Sequence, residues 1–173
     1  GVQNVTMEIP AFALARLPGV ADSDGDSQFT VLVEVGSRFT HVGFAREGMV
    51  YYARDFEAGG EDFTRSLQLA RGLTRDVAEQ TKLEEPLLED AGRRSWLEPA
   101  LTRWTRQVQQ TAQYFRHRLP VAPLRIDRLL LTGGGALLKG LGQHLSTALG
   151  VPLAPFPGLT LPMPVALTPH MAA

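Results

Sequence analysis

Three consecutive glycines, Gly133-Gly134-Gly135, follow the apolar run Leu129-Leu130-Leu131 and precede Leu138, Leu141, Leu145 and Leu149, which share one side of a helical pattern. A strand that turns through residues without side chains into a helix lets backbone amides approach an anion or a nucleobase. The positive end of the helix dipole adds to the attraction. The chemistry such a corner offers is ligand binding. The same residues serve equally well as a tight turn that binds nothing. The segment is not a P-loop, because Lys139 follows the glycines by four residues and is trailed by Gly140, and its spacing also misses the dinucleotide fingerprint.

Other residues with chemical potential are dispersed. Asp22-Ser23-Asp24-Gly25-Asp26 resembles a calcium loop only in its acidic spacing: the glycine comes too early, and Val33 stands at the twelfth position where a glutamate is needed. It reads as a solvated turn. His41, His117, His144 and His170 form no pair at metal-ligand spacing, and the lack of cysteine removes disulfides, thiolate catalysis and cysteine-based zinc sites. Arg93, Arg94, Arg103, Arg106, Arg116 and Arg118 accompany the lone Glu98 in one segment. A basic face of this kind can hold phosphates, but solvated arginines on an amphipathic helix are much commoner. Asn4-Val5-Thr6 is formally a glycosylation sequon with nothing beside it that suggests secretion.

At 173 residues and 44% hydrophobic content, the chain can fill one core or two small lobes. Its net charge of −1 supplies no whole-molecule field toward nucleic acid or an anionic membrane. No apolar stretch approaches the roughly 18 residues needed to cross a bilayer, and no signal peptide is visible, so a cytoplasmic location without direct membrane insertion is expected.

The elements that must position the glycines are legible in turn. Val5 to Ile9 alternates like a strand, and Pro10 opens a short helix. Phe29, Val31, Val33 and Val35 occupy one face of a strand, with Thr30, Leu32 and Glu34 on the other. Phe39 to Arg46 and Met49 to Phe56 continue around a Glu47-Gly48 turn as an antiparallel three-stranded meander. Ala58-Gly59-Gly60, expected to need unusual backbone angles, leads into a helix carrying Phe63, Leu67 and Ala70. Thr74 caps a second helix running to Lys82, and Gly92 closes the region. A long helix starting at Ser95 or Pro99 carries a stripe of Leu97, Leu101, Trp104, Val108, Thr111 or Ala112, Phe115 and Leu119. Pro120 and Pro123 end it. Ile126 to Leu131 reads as a strand buried on both sheet faces, and the prolines after Gly150 leave room for a short strand but no long helix.

A meander, then helices, then a strand and helix returning to the same sheet predicts an α/β fold. The layout is that of a ribonuclease-H-like, actin-like subdomain: a mixed sheet with an antiparallel three-stranded meander, flanked by helices. The segment VLVEVGSRFTHVGFAREGMVYYARDFEAGGEDFTRSLQLARGLTRDVAEQTK resembles the PilM family of type IV pilus assembly proteins, actin-like and related to FtsA. The ordered features are an acid-x-Gly turn, Gly-Gly at a helix start with a threonine soon after, Gly-Leu-Thr, and Ala-Glu-x-x-Lys. LLLTGGGALLKGLGQHLSTALGVPL is similar to the adenosine segment of that fold, and EIPAFALARL to the stretch joining its first lobe to its second.

The resemblance implies a division into residues 1–28 as connecting strand, helix and loop, 29–158 as the second lobe, and 159–173 as a proline-rich tail. Within the lobe it implies a meander at 29–56, a helical part at 60–119 and the adenosine strand and helix at 126–149. It also implies site roles. Glu34 and Gly36 occupy the second phosphate turn, where the acid holds a magnesium-bound water, and Gly36, Ser37 and Thr40 lie near the phosphates. Glu79 and Lys82 meet the ribose and adenine, and Gly133, Gly134, Gly135 and Lys139 shape the adenosine wall. On the residues alone, Glu79 and Lys82 read as an exposed helical ion pair. The implied cofactor is ATP or ADP with Mg2+ in the complete two-lobe protein.

The sequence also departs from the family pattern. Glu34 stands where the family has aspartate, moving the carboxylate about 1.5 Å farther from the strand. Only one acid-x-Gly hairpin is present, so the chain resembles half of a cleft, binding little or no ATP alone and catalysing nothing without a first lobe. The implied partners are a PilN-like cytoplasmic peptide, the pilus inner-membrane platform, and a first lobe or a second copy docked on an apolar surface. The other readings are a nucleotide-free adaptor like GspL or FtsA, and a small-molecule kinase or ATPase. The kinase needs a positioned base that no unassigned acid supplies.

Overall fold

A computed structural model describes residues 10–17, 20, 28–118 and 125–156. Four strands, β1 (Gln28–Val35), β2 (Thr40–Arg46), β3 (Met49–Phe56) and β4 (Arg125–Thr132), form one mixed sheet in the order β3-β2-β1-β4. The meander pairs antiparallel, and β4 returns parallel to β1. Glu47 and Gly48, at φ 52° and 73°, make the two-residue turn of the second hairpin.

The alternation in β1 sorts its side chains as the sequence predicts. Phe29, Val31, Val33 and Val35 enter the larger core, whereas Leu32 joins Ala15, Val20, Ala45 and Leu130 in a smaller one. The short helix α1 (Pro10–Ala15) covers that second face. The larger core is roofed by α2 (Gly60–Arg71), α3 (Arg75–Glu84), α5 (Glu98–Arg118) and α6 (Leu141–Leu149), while the short α4 (Ala91–Arg94) buries no residue in it. Along α5, Leu101, Trp104, Val108, Thr111, Ala112 and Phe115 are buried. Phe115 stacks on Phe44 at 4.1 Å between ring centres. The predicted Val5 to Ile9 strand and Leu119 lie outside the described residues.

Three expectations need correction. Gly92 does not close a region but sits inside α4, whose first turn is capped by the Asp90 carboxylate accepting from the Arg93 amide at 2.8 Å. β4 is fully buried only at Leu129 and Leu130, and among the described residues its outer edge is met by just one parallel bridge, from Leu129 to Leu153. That bridge is the short strand the proline-rich stretch supplies. The chain also does not run from the glycines straight into a helix. A 3₁₀ turn (Gly134–Leu137) intervenes, and Gly140, at φ 84°, redirects the backbone before α6 starts. α6 therefore does not start at the triple-glycine corner.

Candidate functional site

β1 ends at Val35, and the turn that follows carries the start of α2. The Gly60 amide donates to the Gly36 carbonyl at 2.9 Å, and the Glu61 amide to the Ser37 carbonyl at 2.8 Å. A Cβ on Gly59 would lie 2.6 Å from both carbonyl oxygens. Gly59 itself is extended, at φ −159°, so room rather than backbone angle demands glycine there. From the other side β4 arrives at Gly133, at φ 91°, where a Cβ would meet the Val35 carbonyl at 2.5 Å. A Cβ on Gly135 would strike Val35 Cγ1 at 2.4 Å, and one on Gly60 would sit 3.4 Å from Gly135 Cα. Three backbone segments far apart in sequence thus meet where side chains cannot fit. The first bend of the meander lies beside the triple-glycine corner.

Beside this junction opens a cleft of about 240 Å³, lined by Ser37, Gly60, Glu79, Lys82, Gly134 and Leu137 among others. Gly134 has no neighbour within 4 Å of where its Cβ would stand and does not have a positive φ. Nothing in the described chain fills the space that it leaves open. A larger depression of about 560 Å³ lies next to the cleft, but its walls pair with one another, as Arg38 with Glu57 at 3.0 Å and Arg103 with Asp62. Four of its charged side chains are thereby paired with one another.

α3 supplies the polar wall of the cleft. Lys82 is only 4% exposed, and its Nζ donates to Glu79 Oε2 at 2.8 Å, Thr64 Oγ1 at 2.9 Å and the Gly60 carbonyl at 3.2 Å. The pair is therefore not the exposed one that spacing alone suggests. Partial burial pushes the Glu79 carboxyl upward, but hydrogen bonds from Lys82 and Thr64 and the charges of Lys82 and Arg75 hold it below its ordinary range.

The family profile described as "Type IV pilus assembly protein PilM" matches residues 1–166. The chain belongs to the PilM family. Its fold is similar to that of the PilM-PilN type IV pilus biogenesis complex, with a TM-score of 0.73 and 23% identity over 86% of this chain and 41% of that one. It is also similar to ethanolamine utilization protein EutJ from Carboxydothermus hydrogenoformans, with a TM-score of 0.62 and 20% identity over 85% and 49%. MreB5 of Spiroplasma citri bound to ADP follows, at 0.59 and 14% over 83% and 52%. The fold is actin-like, and the chain spans about half the length of these structures or less.

In this PilM-family chain the sequence-predicted residues divide. Gly36, Ser37, Gly133, Gly134 and Gly135 converge with Glu79 and Lys82, and the Glu34 carboxylate lies at the same glycine junction beside Gly36 and Gly133, whereas Thr40 and Lys139 are engaged elsewhere. Thr40 is fully buried. Its hydroxyl donates to the Ala58 carbonyl at 2.7 Å and accepts from Trp104 Nε1 at 2.9 Å, so it ties the sheet to α5 rather than facing a phosphate. Lys139 reaches away to the Glu84 carbonyl at the end of α3. Glu34 lies beside Gly133 but outside the cleft lining, 3.6 Å from His41 Nε2, while His41 Nδ1 contacts Asp55 at 2.7 Å. Burial raises the Glu34 carboxyl, the His41 charge opposes this, and Asp55 adds to it.

Glu61, Arg75, Leu83 and Leu137 of the site escape the sequence reading, and Thr64 enters it only as part of a motif. Thr64 lies four residues after Gly60 in α2, a visible spacing, but its link to Lys82 is long-range. Leu83 and Leu137, 38% and 65% exposed, give the cleft an apolar rim, and no periodicity marks them.

Proposed function

We propose that this chain acts as the second actin-like lobe of a PilM-like cytoplasmic scaffold for type IV pilus assembly, contributing half of a nucleotide cleft. Residues 29–158 form the lobe, 1–28 connect it to the first lobe, and 159–173 make up a tail. The observation that carries the reading is the convergence of the Gly36-Ser37 turn, the α2 start and the Gly134-Gly135 corner on one cleft with Glu79 in its wall.

The residues fit the nucleoside end of a nucleotide. Gly134 leaves room for a flat base against Leu137 and Leu83, and Glu79 offers an acceptor for sugar hydroxyls. They fit a magnesium ion poorly. Glu34 lies 3.6 Å from His41, which it shares with Asp55, rather than standing free to hold a magnesium-bound water. No step is therefore assigned to a metal. Despite partial burial, Glu79 is held below its ordinary range by Lys82, Thr64 and Arg75, and Glu61 lies 3.6 Å from Arg75, so neither carboxylate is tuned as a base, and the lobe serves assembly rather than turnover.

No helix among the described residues is long and apolar enough to cross a membrane. Recruitment to the inner-membrane platform through a PilN-like cytoplasmic peptide accounts for how such a lobe works at a membrane. ADP titrated into isotopically labelled protein is expected to shift the amide signals of Ser37, Gly60, Glu79 and Gly134. Shifts confined to other residues overturn the cleft assignment. A full-length parent that fails to retain the PilN-like peptide in a pull-down overturns the scaffold assignment.

A further inference from the structure

β3 is the outermost strand of the sheet, and among the described residues it pairs with β2 alone. A terminal strand leaves the N–H and C=O groups of alternate residues along its free edge without a ladder, and natural sheets blunt such edges with proline, lysine, bulges or short length. β3 runs for eight residues, Met49 to Phe56, without a proline or a lysine. Its one irregularity lies at the Phe44/Ala45 step, so Tyr52 to Phe56 keep an unbroken register with β2. No β3 residue lines the cleft, and nothing at this edge depends on a nucleotide.

The side of the edge that faces α5 is aromatic and basic. Tyr52 and Arg54 stand opposite Phe44 and Val42 of the larger core, so their side chains share that face. Tyr52 meets the Tyr114 ring at 5.3 Å, Tyr114 is 44% exposed, and the Arg118 guanidinium lies over it at 5.4 Å. Arg46 lies over Phe29 and Tyr51 at 5.5 and 5.6 Å, with its Nε buried and without a hydrogen bond. Arg54 and Arg118 are exposed and take part in no ion pair among the described residues. The acids nearby answer little of this charge. Glu47 stands 3.7 Å from Arg46, and Asp55 is held by His41 at 2.7 Å.

We propose that the free edge of β3 is a docking strand for an extended, acidic segment of a partner protein. The added strand completes the backbone ladder, and its side chains on the α5 face place carboxylates on Arg54 and Arg118 and apolar groups on Tyr52 and Tyr114. A second copy of this chain is the wrong occupant. Pairing two β3 edges about a two-fold axis brings two sets of unpaired arginines together, and like charges across a strand pair oppose it. Arg54 thus turns away its own kind and admits an acid.

The test uses the full 173-residue chain and an end-capped peptide as long as β3, eight residues alternating glutamate with valine. In isotopically labelled protein the peptide is expected to shift the amide signals of β3 and to slow hydrogen exchange at alternate residues of that strand. The double variant Arg54→Glu with Arg118→Glu, at two exposed positions, is expected to keep the remaining spectrum and to weaken binding by about 10-fold or more. Two further peptides carry N-methyl groups on one or the other set of alternate amides, and only the set that faces β3 is expected to abolish binding.

Four results overturn the proposal. They are no binding at millimolar peptide or shifts confined to other elements, equal binding when lysine replaces glutamate, N-methylation without effect in either set, and outer β3 amides already protected in the free chain. In the last case, a dimer that forms with rising concentration identifies a second copy as the occupant, and a monomer identifies another segment of the same chain.

Discussion

Gly134 and Gly135 are neighbours in the chain, but their missing side chains leave different things behind. At Gly135 a methyl group would collide with Val35, whereas at Gly134 it would enter open space. Gly135→Ala is expected to destabilise the fold by about 1–3 kcal/mol through overpacking, and Gly134→Ala by less than about 0.5 kcal/mol, as read from urea midpoints. Thr40→Val keeps the shape but leaves the Ala58 carbonyl and the Trp104 indole without their partner. We expect a loss of about 1–3 kcal/mol in the same denaturation experiment and no change in cleft ligand shifts. His144 gives a pH dependence. Arg94 can only donate, at 3.3 Å to Nδ1, so the neutral ring accepts there and donates from Nε2 to Thr105 at 2.9 Å. Burial first, and the Arg94 charge second, hold His144 below its ordinary 6.5 against the opposing charge of Glu98. The unfolded chain takes up this proton more readily than the folded one, so stability is lost as pH falls below about 6.5 toward the folded midpoint. Thermal melts should drop more steeply between pH 7 and pH 5 in the wild type than in His144→Gln. At this scale the sequence reveals Glu79 and Lys82 as a pair because they share a helix face. It conceals the burial of Lys82, because Thr64 and Gly60 lie 18 and 22 residues away.

Whole elements were legible wherever one period ran without interruption. The alternation of β1 and the stripe of α5 each name their buried side chains, because every such residue repeats one geometric relation to a single core. The helix after the triple glycine was legible in its buried leucines but not in where it starts, since Gly140 imposes a left-handed step that no apolar pattern records. The six arginines in and around α4 and α5 show the same limit. Arg93, Arg94 and Arg103 are drawn into pairs with Glu85, Glu98 and Asp62, and only the fold brings Arg103 to Asp62. The attachment of α5 to the sheet can be tested at Phe115, which stacks on Phe44 and meets Phe29 edge-on at 5.2 Å. Phe115→Ala is expected to cost about 3–5 kcal/mol in chemical denaturation, since a ring wedged between a helix and two strands leaves a cavity that neither can close. A loss below about 1 kcal/mol would mean that α5 is held by Trp104 and Leu101 alone.

At the scale of the molecule, the proposed half-cleft predicts weak nucleotide binding of its own. An actin-like nucleotide site closes on its ligand from two lobes, and the chain spans 41% of the PilM-PilN structure's chain and 52% of the ADP-bound MreB5 chain. In the proposed reading, what it contributes is one turn at Gly36-Ser37, one acceptor at Glu79 and an apolar rim at Leu83 and Leu137. A phosphate group resting on that turn lacks the charge-assisted hydrogen bonds of an opposing hairpin. At about 1.5–3 kcal/mol each, two such bonds correspond to roughly 10²- to 10⁴-fold in affinity. We therefore expect ADP to bind this chain at least 10²-fold more weakly than it binds a two-lobe PilM-family protein, in calorimetric titrations at equal ionic strength, because charge-assisted contacts are screened by salt. Adenosine, which lacks phosphates, should lose far less. The ratio between the two ligands then separates a missing phosphate clamp from a misfolded wall: a chain that loses both equally has a damaged nucleoside pocket, and one that loses neither already holds its phosphates without a second lobe.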